Sequence, residues 1–519
     1  MVLLRLARAI ASGTVKNMQK REILGQIDFG QDVAEEELDA LSTYFVETDQ
    51  WKRVAAGDVD IVYGAKGSGK SAFYSLLVKR RDLFERQGIR LITAERPRGT
   101  PAFKDLAESE DLTEEEFRRL WKLYFLSLII NELRESAPPA LDRLRGDVLP
   151  LLEEADLIPR EFTLSSAIRS ALDYIRSWLR KPSSIETTLH LDATTLQPKG
   201  ITGKITFEEP STQERKLGFT SVDRLLEKTD AALKLSSIQI WILLDRLDIA
   251  FADSTHLETI ALRGLFRAYA DLSKLDCVSL KLFLRTDIWQ SITAGGFREA
   301  SHITRDLTIE WNPQSLMDLV IRRILHNNVL LEYYQVDREA TLSGVSKQND
   351  LFYRIFPDQV DGGRNPKTFD WMLSRTSDGT GQNAPRELIR LLNETRVAQL
   401  RRLETGSPDP GNGLLFDRSS LRDALPVVSR VRFQQTLLAE YPQLRERLLK
   451  LRGRKSEQTL DTLADIWEVD TDEARICAQK LVDVGFFAPP TKVRGTDQSY
   501  RIPFLYHAAL DIVRGKEQG

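Results

Sequence analysis

Residues 59–78 read VDIVYGAKGSGKSAFYSLLV, a strand-like apolar run followed at once by the pattern G-x-x-x-x-G-K-[ST] and a helical run. In such a loop the glycines let backbone N–H groups point at phosphate oxygens, while Lys70 faces the β- and γ-phosphates and Ser71 can bind Mg²⁺. The helix that follows directs its N-terminal dipole at the same anion. The sequence therefore predicts a loop for ATP and Mg²⁺, with a chance glycine-rich turn as the alternative. The residues expected to contact nucleotide are Gly64, Ala65, Lys66, Gly67, Ser68, Gly69, Lys70, Ser71 and Ala72.

The composition narrows the class of protein. A chain of 519 residues has room for roughly two to four domains. The net charge of −3 argues against nonspecific nucleic-acid binding over the whole surface, so any such contact should be local. The two cysteines, Cys277 and Cys477, lack metal-ligand spacing and lie in apolar stretches, which is typical of a reducing cytoplasm. The apolar runs are too short to span a bilayer, so we expect no membrane partner.

Apolar runs that alternate with helical patterns predict an α/β fold. Near-continuous apolar strands of this kind are typical of buried parallel strands in a doubly wound sheet. The five strand-like runs are 59–63, 89–95, 238–244, 278–284 and 307–311.

The chain divides into five predicted segments. A linker is indicated by ETGSPDPGNG at 404–413, and the three helices and two strand-like pieces that follow it are typical of a winged helix. These pieces are a helix around 433–451, two further helices, and strands at 485–487 and 499–504. The predicted segments are an N-terminal helical segment (1–50), an ATPase core (51–312) with a helical insertion at about 100–235, a helical lid (313–403), the linker (404–415) and the winged helix (416–519).

A carboxylate at the end of a neighbouring strand is needed to hold Mg²⁺ beside a phosphate-binding loop. Asp245 ends an apolar strand and is the candidate for this metal site together with Ser71, although a helix cap would also explain it. Many ATPases place an acid next to this aspartate, but here the position is Arg246. Asp248 is the next acid and is equally well explained as a water-activating group or as an N-cap.

Several arginines are candidates for contact with the γ-phosphate. Arg285 and Thr286 follow another core strand, where ligands bind in open α/β sheets, and a structural salt bridge is the alternative. Arg386 lies in the first turn of a predicted helix, where a cation gains nothing from the helix dipole, so an anion is one explanation and an ion pair the other. Arg298 and Arg305 precede the fifth strand and could act as arginine fingers on a neighbouring subunit.

The C-terminal segment carries local basic charge. The run 445–455 is rich in Arg and Lys and includes Arg454, and Lys492 and Arg494 lie in the predicted wing turn. Such charge fits phosphate contacts on duplex DNA. The predicted recognition helix is not notably basic, so a protein partner remains the alternative.

Taken together, these motifs resemble those of the AAA+/STAND-like branch of P-loop ATPases, and most closely a poorly characterised group of bacterial P-loop ATPases. The motifs that carry the resemblance are Tyr44-Phe45-Val46-Glu47-Thr48, the loop Gly64–Ser71, Asp245-Arg246-Leu247-Asp248, Leu284-Arg285-Thr286-Asp287 and Pro385-Arg386-Glu387-Leu388-Ile389. The resemblance implies a five-stranded core in which the strand before Asp245 is not adjacent to the loop strand. It also implies ATP with Mg²⁺, a lid that contributes Arg386, assembly into a homo-oligomer, and a role in DNA transactions or anti-phage defence.

The leading hypothesis is a cytoplasmic ATPase that uses ATP binding and slow hydrolysis as a conformational switch. The first alternative is an initiator-like ATPase bound to DNA. The second is a nucleotide-gated scaffold that does not hydrolyse ATP and recruits a separate effector.

Overall fold

The computed structural model describes residues 19–33, 37–94, 112–158, 162–179, 205–247, 254–294, 296–490 and 498–516. They form two compact units. The first, which we call the sheet unit, contains the described residues of 50–64 and 70–308. The second, the helical unit, contains the described residues up to 49, the loop residues Ala65–Gly69 and the described residues from 309 onward.

Helices and strands are numbered in chain order. Up to the last strand of the central sheet they are α1 (Lys20–Gln26), α2 (Leu38–Tyr44), α3 (Asp49–Ala55), β1 (Ile61–Gly64), α4 (Lys70–Lys79), α5 (Arg81–Arg86), β2 (Ile89–Thr93), α6 (Glu114–Ser136), α7 (Pro138–Asp142), α8 (Leu149–Glu154), α9 (Leu164–Leu179), β3 (Ile205–Thr206), α10 (Thr212–Lys216), β4 (Thr220–Ser221), α11 (Val222–Leu235), β5 (Gln239–Leu244), α12 (Thr255–Leu272), β6 (Val278–Arg285), α13 (Thr286–Ala294) and β7 (Asp306–Thr308).

The remaining elements belong to the helical unit. They are α14 (Pro313–His326), α15 (Asn328–Tyr334), α16 (Arg338–Leu342), α17 (Val345–Ile355), α18 (Thr368–Thr376), α19 (Pro385–Glu404), α20 (Arg418–Val431), α21 (Leu438–Glu440), α22 (Arg445–Lys450), β8 (Lys455–Thr459), α23 (Leu460–Trp467), α24 (Thr471–Asp483), β9 (Ser499–Arg501), α25 (Phe504–His507) and β10 (Val513–Lys516). A π-helix at Arg432–Leu437 joins α20 to α21, and short 3₁₀ helices occur at Arg298–His302 and Pro442–Leu444.

The sheet unit is built on five parallel strands in the order β2-β5-β6-β1-β7. Strand β6 separates β5, which ends before Asp245, from β1, which ends at the phosphate-binding loop. This confirms the predicted α/β fold with a parallel five-stranded sheet, including the separation of these two strands. The fifth strand is shorter than the predicted run 307–311, because residues 309–311 leave the sheet before the Asn312 side chain caps α14.

The core of the sheet unit includes an apolar stripe along α6. Its N-terminus is closed by a reciprocal Thr113–Glu116 capping box, and Trp121, Tyr124 and Phe125 are fully buried. The indole N–H of Trp121 donates to the carbonyl of Ala261 on α12 at 3.0 Å, so the largest core side chain is also satisfied as a donor. This packing fixes α6 and α12 together against the sheet.

In the helical unit, the C-terminal segment differs from two of the sequence-based expectations. The predicted continuous helix around 433–451 is wrong, because the chain passes through the π-helix, α21, a 3₁₀ turn and α22 instead. The predicted strand at 485–487 is also wrong. There the N–H groups of Phe486 and Phe487 both bond to the carbonyl of Leu481, which closes the end of α24 rather than pairing in a sheet. The sheet of this segment has the order β10-β8-β9.

Candidate functional site

The loop after β1 has the backbone that phosphate binding requires. Gly67 and Gly69 have φ values of +81° and +106°, in the left-handed region that favours glycine. A Cβ on Gly67 would lie 3.0 Å from the Cβ of Arg386, so a side chain there would crowd the start of α19. The hydroxyl of Ser68 is buried and has no hydrogen-bond partner among the described residues. The loop therefore combines inward-turning backbone with a polar atom free to meet a ligand.

Lys70 and Ser71 begin the helix that follows the loop. The Lys70 ammonium donates to the carbonyl of Gly64 at 2.8 Å, which holds the lysine over the end of β1. Ser71 and Ala72 occupy the first turn of α4, and both are partly exposed. Their position at a helix N-terminus directly behind a glycine loop fits a nucleotide phosphate.

Asp245 lies at the edge of the sheet where the loop begins. It is buried and follows β5 directly. Leu244 pairs with Leu282 on β6, and Gly64 pairs with Arg285 on the same strand. Asp245 is therefore level with the residue after Leu282, which is two residues before the level of Gly64, and it lies two strands away from Gly64. Two strand spacings are about 10 Å, which suits a carboxylate that reaches a Mg²⁺ ion through water. Arg246 has φ +58°, and Asp248 lies outside the described residues.

Arg285 and Thr286 end β6 and begin α13, at the level of Gly64. The Arg285 guanidinium binds the Asp287 carboxylate through two bonds, of 3.0 and 2.6 Å. A salt bridge was the alternative explanation for Arg285, and this pair is present. Thr286 is partly exposed at the start of the helix.

Arg305 lies at the opposite edge of the sheet, before β7. Its guanidinium binds the buried carboxylate of Asp60 at 2.9 Å and the carbonyl of Gly57. Asp60 also accepts from Lys281 at 2.7 Å, and burial lowers the pKa of this lysine. Arg298, by contrast, is exposed and makes no ion pair with the described residues.

Arg386 contacts the loop within the helical unit. It is the second residue of α19, behind Pro385, and its Cβ and Cδ lie 3.0 and 3.5 Å from the Cβ position of Gly67. Its Nε donates to the carbonyl of Asp32 at 3.2 Å. The structure therefore places Arg386 beside the loop, and its predicted contact with nucleotide stays a prediction.

Two further contacts on the loop were not foreseen from the sequence. The Lys66 ammonium forms an ion pair with Glu440 at the end of α21. The indole N–H of Trp311 donates to the carbonyl of Ser68 at 2.7 Å. The sequence pattern predicts Trp311 as the last residue of the fifth strand instead. Lys66 and Glu440 are 374 residues apart, so no local pattern could have paired them.

A buried ion cluster lies next to Arg386. The Arg432 guanidinium, in the π-helix, binds Glu387 at 2.9 Å and lies 3.7 Å from Asp378. Arg432 and Glu387 are almost fully buried, and Glu387 follows Arg386 in α19. The segment 432–440 is thus tied to the start of α19 at one end and to Lys66 at the other.

The predicted wing residues Lys492 and Arg494 lie outside the described residues. On α24, Arg475 binds Asp472 at 2.5 Å, and Glu473 pairs with Arg447 from α22. Of the two cations of the predicted recognition helix, Arg475 and Lys480, the first is therefore paired with a carboxylate of the same helix. Its exposed face instead presents Ile476, whose relative exposure is 61%.

Comparison with solved structures finds several that are similar to this chain. A solved structure of the Aeropyrum pernix ORC2 protein, determined as ADPNP–ADP complexes, is 13% identical in sequence, covers 93% of this chain and 94% of that chain, and has a TM-score of 0.34. At this TM-score the similarity carries no argument about function, and the fold rests on the strand order and the loop. No family model matches the chain, and no curated protein matches its sequence. Within the described ranges, no helix has the length and apolar character of a membrane span.

Proposed function

We propose that this protein is an ATP-binding, slowly hydrolysing switch ATPase whose nucleotide state controls the conformation of the helical unit. The observation that carries the proposal is that loop residues 65–69 contact two separate parts of that unit. Gly67 meets Arg386 at the start of α19, and Lys66 pairs with Glu440 at the end of α21. A phosphate held by the loop changes the charge around both contacts.

The chain's own residues supply the binding functions. Backbone N–H groups of the loop and the Lys70 ammonium would hold the phosphates, and Ser71 with Asp245 would hold Mg²⁺. Bound MgATP supplies the scissile γ-phosphoryl group. Arg386 adds positive charge beside Gly67, and Thr286 is the candidate on the sheet edge because Arg285 is engaged by Asp287.

Slow turnover follows from the residue after Asp245. Arg246 cannot accept a proton from the attacking water, because a guanidinium remains charged at neutral pH. The acid expected there in many ATPases is absent, and we propose that Asp248 orients the water instead. Without an acid in the usual place, binding lasts long enough to act as a signal.

The switch itself would use the segment 432–440. The hydrogen bonds of its π-helix join residues five apart instead of four, a form that often marks functional positions. If the π-helix changes to an α-helix, the following residues shift by one position along the helix, and each such shift rotates them by about 100° around the helix axis. When phosphate competes with Glu440 for Lys66, the end of the segment is released while Arg432 stays anchored to Glu387.

An initiator-like ATPase on duplex DNA is the second candidate. It is supported by basic charge near Arg454, whereas the Arg475–Asp472 ion pair and the exposed Ile476 on α24 favour a protein partner on that helix. A non-hydrolysing scaffold is the third, favoured if turnover is absent. In a homo-oligomer, Arg298 is the better candidate for an arginine finger, because Arg305 is held by Asp60.

The test measures ATP binding and steady-state hydrolysis in parallel, for the wild type, Lys70→Ala, Asp245→Asn and Asp248→Asn. We expect Lys70→Ala to lose ATP binding and both aspartate variants to bind ATP without turnover. Asp465→Asn, an exposed change on α23, is the matched control and should behave as wild type. If wild type does not bind ATP, or Lys70→Ala binds equally well, the proposal fails. If wild type binds ATP without hydrolysing it, the scaffold replaces the switch ATPase.

A further inference from the structure

Two arginines from distant parts of the helical unit meet at one aromatic ring. The guanidinium carbon of Arg375, on α18, lies 3.8 Å from the centroid of the Phe504 ring, and that of Arg514, on β10, lies 5.1 Å from it. The ring of His507 is 4.9 Å from Phe504. Cation–π contacts of this kind favour a cation near the ring but do not remove its charge.

The cluster has more positive than negative charge. The nearest carboxylate to Arg375 is Asp361 at 3.8 Å, and its two oxygens already accept from Arg422 and from the Trp371 indole N–H. Arg514 forms no ion pair with any carboxylate in the described part of the chain. Like charges held together at a partly buried site are destabilised until an anion joins them.

Burial and the excess of positive charge in the cluster lower the pKa values of two of its members. Burial and the Arg514 charge lower the pKa of Arg375. Burial and the same two arginines lower the pKa of His507, whose Nε2 lies 2.9 Å from the carbonyl of Ile502. The imidazole therefore stays neutral and leaves the positive charge of the site to the arginines.

The adjacent sheet extends the positive charge. Its strands read KSEQT in β8, SYR in β9 and VRGK in β10, with four basic residues against one acid. Strand β10 is exposed along its whole length. Because the chain as a whole carries a net charge of −3, this is a local concentration of cations.

We propose that the exposed Arg514 binds a phosphate of a nucleic-acid backbone, with the buried charge of Arg375 behind it adding to the attraction, and that the nucleic acid continues along the basic β8–β10 edge. A polyanion fits better than a single small anion because the cations extend beyond the cluster. Arg375 already stacks on Phe504, so the ring is not free for a base, and binding should be independent of sequence. This surface does not include α24, and the proposal does not depend on ATP binding.

The test titrates a fluorescein-labelled 20-bp duplex with the full chain and follows anisotropy at several salt concentrations. The decisive variant is Arg514→Gln, because this exposed side chain can change without affecting the core. Each phosphate contact steepens the plot of the logarithm of the binding constant against the logarithm of the salt concentration by about 0.9. At about 0.1 M salt, loss of one such contact therefore weakens binding about eightfold. We therefore expect Arg514→Gln to bind about eightfold more weakly with a shallower slope, and Arg514→Lys to recover most of the loss.

The matched control is Arg224→Gln on α11 of the sheet unit, which removes the same charge from another exposed arginine, whose side chain is 62% exposed. ATP binding by Arg514→Gln should equal that of wild type, which separates this proposal from the function of the loop. No duplex binding by wild type, or equal weakening by Arg514→Gln and Arg224→Gln, would overturn the assignment. Displacement of the duplex by millimolar inorganic phosphate at constant ionic strength would overturn it in favour of a free phosphate.

Discussion

Replacing Glu440 by glutamine tests whether the phosphate-binding loop competes with the C-terminal segment for Lys66. In the structure the Glu440 carboxylate pairs with the Lys66 ammonium, two positions before Ser68 in the loop. Glutamine has the same shape and keeps a hydrogen bond, but it removes the charge. Phosphate then meets an unpaired lysine, so we expect Glu440→Gln to bind ATP more tightly than wild type.

The magnitude follows from the environment of the pair. The Lys66 and Glu440 side chains are 32% and 16% exposed, so the pair lies between an exposed and a buried one. Exposed pairs contribute about 0.2–1 kcal/mol, and hydrogen bonds to charged groups about 1.5–3 kcal/mol. After discounting for solvent screening, about 0.5–1.5 kcal/mol is expected, which is about twofold to tenfold in affinity.

The assay is titration with a fluorescent ATP analogue, checked by calorimetry. Lys66→Gln should bind more weakly than wild type, and the double variant with Glu440→Gln should show no further gain from the second change. Glu446→Gln is the control, since this side chain is 85% exposed on the neighbouring helix α22. Equal or weaker ATP binding by Glu440→Gln would refute the reasoning, because Glu440 would then not compete with phosphate for Lys66.

Three further predictions concern stability, each read by thermal or denaturant unfolding. Gly264→Ala should lower the free energy of unfolding by about 1–3 kcal/mol, because the new Cβ would lie 2.6 Å from the Cβ of Phe117 on α6. Gly25→Ala is the control and should stabilise the protein slightly, because no atom lies within 4 Å of its Cβ position. Equal effects of the two substitutions on stability would contradict this prediction. Arg432→Met should cost about 3–5 kcal/mol by leaving Glu387 buried without a counter-ion, and Arg432→Met with Glu387→Leu should recover most of it. Burial lowers the pKa of His507 below the 6.5 of the unfolded chain, so the unfolded state binds more protons and stability should fall as the pH drops below 6.5; His507→Gln should lessen that loss, and an unchanged pH profile would contradict it.

The central sheet could be predicted because its strands are apolar and buried on both faces. Of the C-terminal sheet only β9 was predicted, within the run 499–504, and β8 shows why the rest could not be. Its sequence, KSEQT, contains no apolar residue, yet Ser456 and Gln458 face inward and are buried. An inward face made of polar side chains leaves no hydrophobic alternation to detect. The apolar run Gly485-Phe486-Phe487 misled in the opposite direction, because its rings fill the core from a turn.

In the candidate site, too, contacts between residues close in sequence were easier to predict than contacts between distant residues. The loop and Arg386 were predicted because each lies in a short sequence motif whose residue types indicate what they bind. Glu440 and Arg432 carry no motif, and their partners lie far away in the sequence, so only the folded chain pairs them. Asp248 stays a prediction, because it lies outside the described residues.

The helix that carries Arg386 is better fixed than the segment that carries Glu440, which identifies the part expected to move. Along one face of α19, Arg390 binds the Asp32 carboxylate at 2.7 Å, while Asn393 and Arg396 donate to backbone carbonyls of the 27–30 stretch at 2.7 and 3.0 Å. Rotation of α19 would break all three bonds together. Release of Glu440 from Lys66 breaks a partly exposed ion pair, which is weaker than these three bonds together. If nucleotide changes this unit, hydrogen exchange should therefore increase at 432–440 and stay unchanged along α19, and the reverse pattern would place the switch in the lid helix instead.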